Sequence, residues 1–237
     1  MVRFKNQKTI EEKLDPTDTV TIPRQEYETL KQKAEEASYD GLTGLLNRKR
    51  FDELLVHDMT VARRQIRSGG SPDNLVLMYF DLNGLKYVND TYGHESGDDL
   101  LQNAANLIYH FLKRESDTVA RIGGDEFAAI LPQTDLKHAN SIAFALQEGA
   151  KHLGVSVAVG MASYQLSVSD PTKSDKTDEY KLQLDDIIHE LKSKADTAMY
   201  ENKGSIKQKL NVAHFYDQHY NKNGVDKIKT PEAVYAA

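Results

Sequence analysis

Hydrophobic residues recur along this chain with two periods, and the switches between them mark out its elements. Leu75 to Leu82 runs Leu-Val-Leu-Met-Tyr-Phe-Asp-Leu, apolar except for Asp81. Such a run predicts a strand buried on both faces. Val155–Ala162 alternates and predicts another strand. Thr118–Ala120 and Ala128–Pro132 flank Arg121-Ile122-Gly123-Gly124-Asp125-Glu126-Phe127, and read as strand, tight two-residue hairpin turn, strand. Helical spacing appears elsewhere. Phe51, Leu54, Leu55, Met59, Ala62 and Ile66 mark the inner face of a helix that Asn47 can cap and that runs to about Arg67. Three more helices are expected at about 98–113, 135–152 and 184–203, and a weak last strand near 210–215. Residues 83–97 read as a loop and turn between strand and helix.

The ends are less patterned. Residues 1–23 are polar and read as a mobile arm or a short packed extension. Tyr27, Leu30, Ala34 and Ala37 form a narrow apolar seam on a helix over 24–38, suited either to its own domain or to a dimer stalk. Residues 165–181 are rich in Ser, Thr, Lys and Asp and are expected to form an exposed insertion. The expected organisation is an arm and linker helix over 1–38, a catalytic domain over 39–214 and a polar tail over 215–237.

Composition narrows the function. The chain has 237 residues, a net charge of -6 and no cysteine. The acidic balance argues against a nucleic-acid binder, and the lack of thiols removes disulfides, thiolate zinc sites and cysteine nucleophiles. No apolar run reaches membrane-spanning length and the start lacks a signal-peptide core, so a cytoplasmic protein without membrane insertion is expected.

The candidate chemistry lies in carboxylates at strand ends. Asp81 closes one strand, while Asp125 and Glu126 open another. Alone, Asp81 reads rather as a turn cap, and Gly-Gly-Asp-Glu as a solvated turn. If the strands are neighbours, three carboxylates converge at one sheet end, a set of hard oxygens suited to Mg²⁺ shared with a substrate phosphate. Lys86 and Lys203 are candidates to balance phosphate charge, and Gly123 and Gly124 allow a ligand close to the main chain. A nucleotide-polymerising or nucleotide-cyclising site is consistent with these parts.

Four stretches resemble the GGDEF domain of bacterial diguanylate cyclases. They are Asp40-Gly41-Leu42-Thr43-Gly44-Leu45-Leu46-Asn47-Arg48, then Phe80-Asp81-Leu82-Asn83-Gly84-Leu85-Lys86 with Asn89-Asp90, Gly93-His94 and Gly97-Asp98, then Gly123 to Phe127, and finally Ala195-Asp196-Thr197-Ala198-Met199-Tyr200 with Lys203. The resemblance implies an α+β fold like the palm of nucleotide cyclases and polymerases, ferredoxin-like, with a central, mainly antiparallel sheet surrounded by helices. It implies condensation of two GTP into cyclic di-GMP and two pyrophosphates across a homodimer, with Mg²⁺ or Mn²⁺ as cofactor. It further implies metal binding by Asp81, Asp125 and the Leu82 carbonyl. Asp125 would be the general base, with Glu126 supporting the metal site and Lys86 stabilising transition-state charge. Asn89 and Asp98 would read guanine, with His94 in the same segment. Gly123, Gly124, Lys203 and Lys207 would meet phosphates. Arg114 and Asp117 match the family's inhibitory product site, where cyclic di-GMP acts as feedback inhibitor; read locally, they are a helix-end salt bridge. Asn83 and Leu85 stand where many relatives carry Asp and Phe, and Lys207 where they carry Arg. Two alternatives accompany this reading: a silent module that only binds cyclic di-GMP, and a cyclase making a mixed guanine–adenine dinucleotide.

Overall fold

The computed structural model describes residues 23–67, 74–165 and 178–219. The chain divides into two units, residues 1–37 and 38–237. Within the first, helix α1 (Arg24–Glu36) has no buried residue, and its seam residues Tyr27 and Leu30 are both about half exposed. The arm before Pro23 and the tail beyond His219 lie outside the described residues, as do residues 166–177 of the expected insertion.

The second unit is built on five strands: β1 (Leu46–Asn47), β2 (Asn74–Leu82), β3 (Thr118–Arg121), β4 (Glu126–Pro132) and β5 (Val157–Gln165). They lie in the order β1-β3-β4-β2-β5, antiparallel except for β1 against β3. Strand β2 is therefore central. Leu75, Val76, Leu77, Met78 and Phe80 are all buried, as a run apolar on both faces requires. On one face Val76, Met78, Phe80 and Leu82 pack with α4 (His94–Phe111) and α5 (Leu136–His152). On the other, Leu75 and Leu77 pack with Phe51, Leu55 and Met59 of α2 (Arg48–Arg67) and Leu184, Ile188 and Leu191 of α6 (Asp178–Lys209). This is the expected α+β arrangement of a mainly antiparallel sheet between helices.

Local chemistry sets the helix starts. Asn47 Oδ1 accepts from the Arg50 N–H (3.0 Å), and Asp135 Oδ1 from the His138 N–H (2.7 Å). Gly160 of β5 faces the backbone of Met199 and Ala195, so α6 lies closer to the sheet than any side chain at 160 would allow.

Three expectations need correction. Residues 85–92 are not loop but a short helix, α3 (Leu85–Tyr92), and α4 begins at His94, four residues before the expected 98. The last strand is absent: Val212–His219 forms helix α7, and Tyr216 is fully buried in the core rather than part of a polar tail. The β3–β4 connection is also longer than a two-residue turn. Residues 122–125 span it, with the N–H groups of Ile122 and Gly123 both donating to the Glu126 carbonyl (2.9 and 3.2 Å). Neither Gly123 nor Gly124 has a positive φ. The Glu126 carboxylate lies over Gly123, where a Cβ would make it shift.

Candidate active site

The antiparallel register sets Asp81 at the end of β2 directly opposite Glu126 at the start of β4. The Leu82 N–H donates to the Asp125 carbonyl (2.9 Å), which ties the glycine turn to the end of the central strand. Asp81 is only 5% exposed. Its Oδ2 accepts from Lys203 Nζ at 2.6 Å, while Oδ1 is buried without a hydrogen-bond partner. Burial pushes the Asp81 carboxyl pKa up; Lys203 opposes this, Asp125 adds to it, and Lys207 opposes it weakly. Asp81, Asp125, Lys203 and Lys207 thus share one electrostatic neighbourhood.

Glu126 does not join them. Its carboxylate lies 3.6 Å from the Arg48 guanidinium. The strands are neighbours as expected, but among the described residues no three His, Asp or Glu side chains are gathered as a metal site. A cavity of about 370 Å³ opens beside the turn, bounded by Arg48, Ile122, Glu126, Lys192 and Asp196. Of the expected site residues only Glu126 lines it.

The chain leaving β2 carries the next group. Lys86 and Asn89 lie on α3, His94 is the first residue of α4, and Asp98 lies one turn further along it. Lys86, His94 and Asp98 are exposed. Asn89 lies against Gly97, where a Cβ would overlap its side-chain oxygen, so glycine at 97 lets α3 and α4 approach. Gly93, with φ of 93°, makes the sharp junction between the two helices.

Two arginines that the sequence places in motifs, but to which sequence reasoning gave no role, hold the turn. Arg121 donates to the Gly124 carbonyl (2.8 and 3.3 Å) and to both oxygens of Asp40 (3.1 and 3.4 Å). Arg48 Nε donates to the Ile122 carbonyl (2.6 Å). Asp40 also accepts from the Thr43 N–H (2.9 Å) and hydroxyl (2.7 Å), so the first motif buttresses the third. Arg121, next to the turn, is a fork-shaped donor whose place was a local signal; Arg48 lies 74 residues away in sequence and gave none.

Arg114 and Asp117 lie at the opposite end of β3 from the turn. Arg114 binds both carboxylate oxygens of Asp117 (3.1 and 2.7 Å) and donates to Thr134 Oγ1 (2.7 Å). The Asp117 side chain is 2% exposed and that of Arg114 43%.

The family model described as diguanylate cyclase, GGDEF domain, matches residues 37–209. The chain belongs to the GGDEF family. Among its curated relatives, the uncharacterized protein YhcK of Bacillus subtilis is 32% identical over 151 residues, covering 60% of this chain and 40% of YhcK. The probable diguanylate cyclase DgcE of Escherichia coli is 39% identical over 114 residues, 48% of this chain and 10% of DgcE. This GGDEF chain therefore spans less than half the length of either. Among solved structures, the coiled coil and GGDEF domain of DgcB from Caulobacter crescentus, in complex with c-di-GMP, superposes with a TM-score of 0.61 at 25% identity. That match covers 76% of this chain and 88% of the other. Diguanylate cyclase SiaD of Pseudomonas aeruginosa, in complex with its activator SiaC, gives 0.52 at 30% identity, over 76% of this chain and 64% of SiaD. GGDEF membership accounts for the order of the four motifs and for the sheet that joins them.

Proposed function

We propose that this chain is a diguanylate cyclase that condenses two GTP into cyclic di-GMP and releases two pyrophosphates. The Asp81 carboxylate carries this reading: it is buried, Lys203 holds one oxygen, and the other has no partner. A buried unsatisfied carboxylate oxygen is costly, and a hard divalent cation would satisfy it. Asp81, Asp125 and the Leu82 carbonyl would hold Mg²⁺, or Mn²⁺ in its place. When bound, the ion would neutralise charge on the phosphate oxygens.

The other residues take their parts from chemistry. Lys203, Lys207 and Lys86 supply positive charge for the phosphates, and Gly123 and Gly124 leave room for them at the main chain. Asn89 and Asp98 present acceptors to the guanine edge, with His94 beside them. Asp125 takes the proton from a 3′-hydroxyl. That oxygen bonds to the α-phosphorus of the other nucleotide, and the bond from that phosphorus to pyrophosphate breaks. Attacking and leaving groups sit on different nucleotides, and each chain offers one such site. Two copies must therefore meet, and holding the nucleotides face to face supplies much of the acceleration. The names of two E. coli relatives, the probable diguanylate cyclase DgcE and the diguanylate cyclase DgcM, support the same chemistry. The setting is the cytoplasm, where GTP is made; among the described residues no helix is long and apolar enough to cross a membrane.

The Arg114–Asp117 pair supports feedback by the product. An exposed guanidinium anchored on a buried carboxylate can offer its free edge to a guanine or phosphate. Two variants test the scheme. Asp125→Ala should lower cyclic di-GMP formation by at least about a hundredfold with an unchanged melting temperature, since it removes the base. Arg114→Ala should keep turnover and relieve product inhibition about tenfold. Full activity in Asp125→Ala would sink the cyclase assignment; cyclic di-GMP binding by a wild-type chain that never turns over GTP would favour the silent module.

A further inference from the structure

Helix α7 begins at Val212, three residues beyond the end of the family match at 209, yet its side chains reach the segment that carries the nucleotide-binding residues. The Tyr216 ring is fully buried, and its hydroxyl donates to the Asn83 carbonyl in the turn that leaves β2. Asn83 is itself tied to Ser156, the residue before β5, through its N–H to the Ser156 carbonyl (2.8 Å) and its side-chain amide to the Ser156 hydroxyl (3.3 Å). The next residue, Gly84, has φ of 83°, and a Cβ there would overlap the Tyr216 ring and lie 3.0 Å from Val212 Cγ1. One residue further along α7, Asp217 Oδ1 accepts from two hydroxyls of α3, those of Tyr87 (2.9 Å) and Tyr92.

Helix α3 needs such support. It has eight residues, too few to be stable alone, and Val88 is its only buried side chain. At about 100° per residue Lys86 and Asn89 stand roughly 60° apart on α3, and Tyr87 and Tyr92 flank that pair, one beyond Lys86 and the other beyond Asn89. The contacts to α7 thus brace both sides of the face that carries Lys86 and Asn89. Both ends of α3 are fastened, the first turn through Tyr216 on Asn83 and Gly84, the last through Tyr92 on Asp217.

We propose that α7 is a positioning element of the nucleotide site, in which Tyr216 and Asp217 lock α3 so that Lys86 and Asn89 are held ready for the nucleotide. This rests on the cyclase reading above. Asp217 and the two tyrosines touch no substrate and act through α3. The hydroxyls of Tyr87 and Tyr92 also hold the Asp217 carboxyl pKa low, so the acceptor stays ionised at neutral pH.

The test uses the full chain and its Asp217→Ala, Asp217→Asn, and Tyr87→Phe with Tyr92→Phe variants. Binding of a non-hydrolysable GTP analogue with Mg²⁺, KM and kcat for GTP, amide exchange across α3 and melting temperature are read together. Asp217 is exposed, so its variants should fold as the parent does. The expected result is about a fivefold weaker analogue affinity and a KM raised in proportion for Asp217→Ala, with kcat changed less than about twofold. Exchange across α3 should quicken while the melting temperature holds. The asparagine, which keeps an acceptor, should recover part of the affinity. Adding Asp217→Ala to the double tyrosine variant should cost nothing more. Unchanged affinity and unchanged α3 exchange in Asp217→Ala, in a parent that does bind the analogue, would overturn the proposal and leave the cyclase reading standing. A parent that binds no guanine nucleotide would instead overturn the cyclase reading, and the substrate role of α7 with it.

Discussion

Asp40 and Asp81 are both partly withdrawn from water, yet their carboxyl pKa values move in opposite directions. At Asp40, burial acts to raise the value, but hydrogen bonds from the Thr43 hydroxyl and N–H and from Arg121 outweigh it, leaving it below the ordinary carboxylate range. Its contribution to stability is therefore complete above the unfolded value, about 3.9, and is lost as pH falls through the lower folded value. At Asp81 burial wins over Lys203. There the folded chain binds the proton more tightly than the unfolded one, so stability is lost as pH rises through the folded value. Two outcomes follow for the metal-free chain. Asp40→Asn should flatten the acid side of the stability profile. Lys203→Met should cost about 2 kcal/mol at neutral pH and much less in acid, because it strands a buried charge. Denaturant titrations across pH read both, and curves parallel to the parent's would contradict them. The place of Asp81 at the end of a buried strand was legible in the sequence, because a carboxylate ending an apolar run is a local signal; its pairing with Lys203, 122 residues away, was not. The swing of Glu126 to Arg48 was not, since it depends on which strand end faces the start of α2.

Among the helices of the second unit, the long ones were legible and the short ones were not. Helices α2, α4, α5 and α6 repeat their apolar positions over several turns, and β2 is a nine-residue strand. Helix α3 does space Leu85, Val88 and Tyr92 at helical intervals, but over only two turns, and Asn83-Gly84 before it and Asn89-Asp90 within it are residues that favour turns. Helix α7 offers Val212, Phe215 and Tyr216 in a window where β-branched and aromatic residues suit a strand equally well. Gly160 is a further case: nothing in an alternating strand says that a helix backbone will lie against it. Gly160→Ala should therefore destabilise the chain by about 3 kcal/mol, since the obstacle is the main chain of Met199 and Ala195 rather than a movable side chain. A melting temperature equal to that of the parent would show that α6 can shift away from β5 without loss.

For the whole molecule, the sheet order β1-β3-β4-β2-β5 explains how distant motifs meet. Placing β4 beside β2 sets Asp125 against the end of β2, and α6 across β5 and β2 brings Lys203 to Asp81. This pairing is non-local, and so the sequence supplied the parts but not their contacts. One chain carries one such site, while the proposed product joins two nucleotides. Specific activity should accordingly rise with chain concentration until dimers saturate, which initial rates over a dilution series measure. The most direct measurement of the central claim is incubation of the purified chain with GTP and Mg²⁺ at high protein concentration, followed by chromatography of the nucleotides. The expected product is cyclic di-GMP, accompanied by two pyrophosphates per molecule, with none from the Asp125→Ala chain. GTP recovered intact, under conditions where dimers are present, would contradict the claim.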